Sequence, residues 1–223
     1  SNDLSLDESS SALMQIIMTL LCFQKIFKFT HNDLHTNNIM FVNTDVQYLF
    51  YQYKNQVYRV PTHGRIYKII DFGRAIYKFK NKTYCSDSFA PGGDAATQYN
   101  CEPFYNDKKP IIEPNMSFDL CRLGCSIYDF IIDDEEESEM DEFQKTVNRW
   151  CKDDNNLNVL YKSSGSERYP NFKLYKMIAR TVHNHTPENQ LKYEFFSQYA
   201  VKDLDGTPDI MNIDILPSYY DKH

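Results

Sequence analysis

The chain has 223 residues, 42% hydrophobic and 25% charged, an ordinary globular composition that excludes disordered and fibrous classes. Its formal charge is −7, but eight acids and no base fall between Asp133 and Glu142; the remainder carries +1 and offers no global basic field to nucleic acid. The six cysteines, Cys22, Cys85, Cys101, Cys121, Cys125 and Cys151, contain no CxxC pair, which points to reduced thiols and a cytoplasmic setting.

Residues 1–9 are polar and read as a linker or tag scar, with Ser9 or Ser10 set to cap a helix that runs to about residue 27. Apolar residues occupy nearly every side of that helix, which predicts burial all round. Gln15, Thr19, Gln24, Lys25 and Lys28 interrupt it, so no bilayer span and no membrane partner are expected. The loop HNDLHTNN follows, then IMFV as a short buried strand. Between Gln47 and Ile70 the Tyr, Val, Ile and Phe content, broken at YKNQ and PTHGR, predicts a small antiparallel arrangement.

Residues 71–116 show no sustained helical period and read as one long functional loop. A buried helix is expected from about Ser117, an acidic loop over 133–142, an amphipathic helix around Asp141 to Cys151, and a helix from about Asn171 to His183. Another starts at Thr186-Pro187-Glu188, where proline follows a threonine cap. Residues 201–223 carry Gly206, Pro208 and Pro217 and read as a tail.

The chemistry concentrates in four residues. Asp33 stands on a loop five residues before Asn38, and Asp71 ends a later strand, with His31 two residues ahead of Asp33. Two carboxylates and a carboxamide suit Mg²⁺ held by oxygen ligands beside a base that receives a hydroxyl proton, the parts that phosphoryl transfer needs.

In this order HxDxxxxN (His31 to Asn38) and Asp71-Phe72-Gly73 resemble the protein kinase superfamily. The resemblance extends over about residues 10–200: Asp119 to Gly124 resembles the D-x-x-x-x-G that opens the central helix of the kinase large lobe, and TPENQLKYEFF is similar to that lobe's closing helix. It implies a mainly α, α+β fold, a kinase-like C-terminal lobe with a small antiparallel β element around the catalytic loop. It also implies Asp33 as the base that orients the acceptor hydroxyl, Asn38 and Asp71 as Mg²⁺ (or Mn²⁺) and ATP ligands, and His31, Asp119, Phe72 and Gly73 as structural support.

Several features depart from the family. Asn32 replaces the Arg that pairs with a phosphorylated activation loop, which argues against control by that route and for unmodified Ser88, Thr97 and Tyr99. His35 stands in place of the usual Lys, so the loop resembles haspin-like and other divergent kinases. The Asn38 to Asp71 interval of 33 residues implies a strand-rich insertion over 43–66. Cys101-Glu102-Pro103 and Glu113-Pro114 are imperfect versions of the A-P-E anchor, and Asn184 stands near where its partner Arg is expected. The first glycine is Gly64, and the only lysines before His31 are Lys25 and Lys28, so the Gly-rich loop and strand Lys of an N-lobe are expected from elsewhere, in cis or in trans.

The expectation is thus the C-lobe of a divergent Ser/Thr protein kinase acting on a protein substrate, a basic one if the acidic run recruits it. A choline- or aminoglycoside-type small-molecule kinase and a non-catalytic interaction module are the alternatives. Abundant Asn, Tyr, Ile and Lys point to an AT-rich genome such as that of a protist or a large DNA virus, with viral or host cytoplasm as the location.

Overall fold

Twelve residues of the first helix, α1 (Leu6–Phe27), are buried, and the rest of the chain is laid around them. The structure, a computed structural model, describes residues 4–132, 137–204 and 206–220. Helix α1 begins a turn earlier than expected. Ser5 Oγ accepts the Glu8 N–H at 3.2 Å while Glu8 Oε2 accepts the Ser5 N–H at 2.9 Å, a capping box. Residues 5–9 therefore belong to the fold and not to a linker, and Ser9 and Ser10 are buried. The helix stops at Lys28, whose φ of 49° is left-handed and whose N–H bonds Gln24 O.

By length and apolarity α1 could cross a bilayer, contrary to expectation, but its residues from Ser9 to Met18 are buried against the protein. Its one deeply buried amide is matched: Gln15 Nε2 donates to Arg65 O at 3.2 Å and Gln15 Oε1 accepts the Tyr67 N–H at 3.0 Å.

Those acceptors lie on β4 (Arg65–Ile69), which pairs antiparallel with β1 (Ile39–Asn43), Ile39 opposite Ile69 and Phe41 opposite Tyr67. Strand β1 is not buried as expected. Met40, Phe41 and Val42 are 57%, 45% and 49% exposed, because this sheet has two strands and α1 packs on β4 rather than on β1, which leaves both faces of β1 open. Between β1 and β4 the chain folds a second hairpin, β2 (Tyr48–Tyr53) and β3 (Gln56–Pro61), turned at Lys54 and Asn55 with φ of 50° and 60°.

The C-terminal residues, read as a tail, are part of this sheet. Strand β7 (Ala200–Val201) pairs antiparallel with β3, and β8 (Ile210–Asn212) pairs parallel with β2, giving the order β7-β3-β2-β8. Ile213 is wholly buried, and Asp214 accepts the Lys54 and Asn55 N–H groups at 2.7 and 2.9 Å. Hairpin and C-terminal segment thus complete each other, and the arrangement is not purely antiparallel.

Residues 71–116 contain a small hairpin, β5 (Tyr77–Phe79) and β6 (Lys82–Tyr84). Elsewhere backbone bridges such as Thr30–Ile76 and Asn100–Ile112 hold the segment, and Asn100 Nδ2 donates to Asn106 O, Lys109 O and Pro110 O at 2.9 to 3.0 Å. Helix α2 (Phe118–Ile131) follows, then α3 (Glu142–Trp150), α4 (Lys173–Thr181), α5 (Pro187–Gln190) and α6 (Glu194–Ser197).

Gly124 lets α3 close on α2, since a Cβ there would lie 3.0 Å from Trp150 Cβ and 3.3 Å from Cys151 Sγ. The buried residues of α2 end at Cys125, and Phe130 is 84% exposed. Of the acidic run, residues 133–136 lie outside the described residues; Asp141 caps α3 with Gln144, and Glu137 pairs with Lys152 at 3.0 Å. The described residues are 35% helix and 19% strand, a mixed architecture whose helices carry most of the core.

Candidate active site

The loop after α1 is fixed from beneath. Asp119, in the first turn of α2, accepts the backbone N–H of His31 at 2.8 Å on Oδ2 and that of Asn32 at 2.9 Å on Oδ1. Burial pushes its carboxyl up, while His31 and the two N–H donors pull it back. The His31 ring bonds Ile70 O through Nε2 at 2.9 Å and packs 5.6 Å from Phe72, which also meets Phe23 and Phe29 at 6.1 and 5.8 Å.

Ile70 joins this loop to Asp71. Its carbonyl takes the His31 ring and its N–H donates to Asn38 O at 3.0 Å. Asp71 therefore leaves β4 beside the loop that carries Asp33 and Asn38. It adopts φ 61°, ψ 73°, a left-handed conformation that Asp tolerates better than most residues. Its Oδ1 accepts the Gly73 N–H at 3.2 Å, and the residue is exposed.

Asn38 is buried and its amide nitrogen is engaged, donating to Asp33 O at 2.9 Å and lying 3.3 Å from His35 Nε2. Among the described residues no protein donor reaches its Oδ1, so the carbonyl oxygen is the atom left for a cation. Burial lowers the His35 pKa against the pull of Asp33, with Arg122 and His31 helping to lower it and Asp71 raising it. A neutral ring can accept from Asn38. Among the described residues no three His, Cys, Asp or Glu side chains gather as a metal cluster; the site offers two carboxylates and one carboxamide, hard oxygen donors that fit Mg²⁺.

Asp33 is half-buried, and its partners were not visible in the sequence. Tyr175 Oη donates to Oδ1 at 2.6 Å, Arg74 Nη1 stands 4.0 Å from Oδ2, and His35 Nε2 is 3.9 Å from Oδ1. Tyr175 lies 142 residues further along the chain, and nothing in its local sequence marks it.

Besides the Arg74–Asp33 approach, hydrogen bonds tie the long loop to the site and to α4. Tyr99 Oη donates to Asn32 Oδ1 at 2.5 Å, and Asn32 Nδ2 donates to Arg74 O at 3.0 Å and Thr30 O at 3.2 Å. Arg180 of α4 donates to Thr97 O at 2.8 Å and Gln98 O at 3.3 Å. Among the described residues neither Glu102 nor Glu113 forms an ion pair; both line a cavity of about 800 Å³ with Lys28, Lys78 and Lys82. Asn184 bonds Asp154 at 3.1 Å and not the loop.

No family model matches the chain. Over 87 residues it is 36% identical to a protein of Acanthamoeba polyphaga mimivirus provisionally named a serine/threonine-protein kinase, a stretch covering 36% of this chain and 22% of that protein. Part of the chain is therefore similar to a kinase-named protein, and the match spans about a fifth of that relative's length.

Proposed function

We propose that the chain carries the catalytic-loop half of a protein kinase, which transfers the γ-phosphoryl group of ATP to a Ser or Thr of a protein. One observation carries this reading: Ile70 bonds His31 through its carbonyl and Asn38 through its N–H, which sets Asp71 beside Asp33 and Asn38 on a loop held by Asp119. The similarity to a kinase-named protein supports it.

Mg²⁺ or Mn²⁺, bound with ATP, supplies the positive charge that neutralises the phosphates. Asn38 Oδ1 and the Asp71 carboxylate are the atoms that would hold it. Asp33 accepts the proton of the acceptor hydroxyl and orients that oxygen, so the chain's part in catalysis is positioning and fixed charge. Cover over the ATP phosphates comes from an N-lobe in cis or in trans. A basic acceptor segment suits the acidic residues near Glu137 and Glu139.

A thermal-shift comparison of wild type and Asp71→Asn with Mg²⁺ and ATP tests the site. Ligand at ten times its Kd adds about 1.4 kcal/mol to the native state, a rise of roughly 3–5 °C for a chain of this size. The variant should lose most of that rise. Equal shifts in the two proteins would remove Asp71 as a ligand and this reading with it.

A further inference from the structure

We propose that Tyr175, held by Arg122, is a positioning residue for Asp33: its hydroxyl clamps one carboxylate oxygen so that the other is presented to the acceptor hydroxyl. The inference rests on the reading of Asp33 as the base and adds a part that the loop itself does not contain.

A phenol has one proton to give. Arg122 Nε donates to Tyr175 Oη at 2.8 Å, so the Tyr175 proton is directed to Asp33 Oδ1, 2.6 Å away. Oδ1 is thereby occupied, and Oδ2, with Arg74 Nη1 at 4.0 Å, is the oxygen left to take a substrate proton. Without such a contact a carboxylate turns over a broad range about its terminal torsion. With it, the base keeps one orientation, which an in-line transfer needs.

Packing also holds the tyrosine in place. Its ring stacks on Phe172 at 5.1 Å and 14° and lies 6.1 Å from Phe118. The guanidinium of Arg122 stands 5.1 Å from the same ring, and that of Arg74 stands 5.7 Å from both Tyr175 and Phe172. Arg74, Arg122, Asp33 and, through Asp33, His35 are the charged or titratable groups around the hydroxyl. Burial raises the Tyr175 pKa above its ordinary value, Arg122 opposes this, and the Asp33 bond adds to it. The hydroxyl therefore stays protonated near neutral pH and keeps donating.

Two measurements on the full chain test the proposal. The first needs no turnover: tyrosine ring-carbon NMR titration, with Tyr175→Phe to assign the signal. In Asp33→Asn the Tyr175 midpoint should fall, because the anion that opposes its ionisation is gone; an unchanged midpoint overturns the proposal. The second is transfer from Mg²⁺–ATP to a Ser/Thr peptide library.

Asp33→Ala should abolish transfer. Tyr175→Phe should lower kcat about tenfold, the weight of one hydrogen bond to a charged group, leave the KM for ATP within about twofold, and displace the acid limb of the kcat–pH profile, which a merely structural role would not move. Loss of transfer in Asp33→Ala with an unaltered Tyr175→Phe overturns the clamp and leaves the kinase reading standing. Transfer that survives Asp33→Ala overturns both. If the wild-type chain shows no turnover, the NMR titration decides.

Discussion

Replacing Tyr99 by Phe removes a single oxygen atom, yet it should loosen the attachment of the 71–116 segment to the catalytic loop. The ring would keep its contacts with Phe89 and Phe118, whose centroids lie 5.8 and 6.3 Å away. What disappears is the donor to Asn32 Oδ1 at 2.5 Å. Asn32 is wholly buried and its amide nitrogen is committed to Thr30 and Arg74, so its carbonyl oxygen would be stranded.

Leaving a buried acceptor unsatisfied costs about 1–3 kcal/mol, which for a chain of this length lowers the Tm by roughly 2–12 °C. Differential scanning calorimetry at pH 7 reads the effect. A double-mutant cycle with Asn32→Ala should return a coupling of about 1 kcal/mol or more. Burial, with Asp119 adding, holds the Tyr99 hydroxyl well above its ordinary value. Stability from the neutral phenol is therefore complete below about pH 10 and is lost only as the pH rises toward the folded value, so the penalty should be constant from pH 6 to 9. A Tm within a degree of wild type, or additive single mutants, would show that the hydrogen bond does not hold the loop.

The other expectations concern stability. Ile213→Ala should cost about 2–5 kcal/mol in urea unfolding, since Ile213 is wholly buried beside β8; a loss below about 1 kcal/mol would return residues 206–220 to the status of a tail. His185 is buried and bonds Lys152 O through Nε2 at 2.7 Å, and burial first, then Arg149, lower its pKa. Its contribution is present above its unfolded pKa, about 6.5, and lost as the pH falls below that toward the folded value. Wild-type stability should decline from pH 7 to 5, and His185→Gln, which retains an N–H donor, should flatten the slope; identical slopes would contradict the assignment.

What could be read from the sequence was local. Asp141 and Thr186 cap α3 and α5 as their side chains suggest, and the YKNQ break is the turn between β2 and β3. The Ser5–Glu8 spacing is a capping-box signature and marks the true start of α1, although Ser9 and Ser10 offer competing caps further along the sequence. The pairing of His31 and Asn32 with Asp119 followed the motif order.

What stayed hidden depends on contacts between distant segments. IMFV has the apolarity of a buried strand, but burial needs a layer on each face, and composition does not say whether one exists. Residues 210–212 are too few to announce a strand, and only the free edge of β2 makes them one. Tyr175 reaches Asp33, and Tyr99 reaches Asn32, across 142 and 67 residues. No periodicity encodes such meetings.

The parallel pairing of β2 with β8 sets a clock on biosynthesis. Phe50 lies opposite Ile210, 160 residues downstream, which at about 5–20 residues per second leaves the ribosome some 8–32 s later. Throughout that interval the segment YLFYQY presents an unpaired edge rich in aromatic side chains, the kind of surface on which nascent chains associate wrongly. A chain arrested before residue 210 keeps that edge open. Such a polypeptide should depend on a chaperone in proportion to how long the last strand is delayed, and slowing translation of residues 100–200 should increase its aggregation without altering any residue of the mature protein.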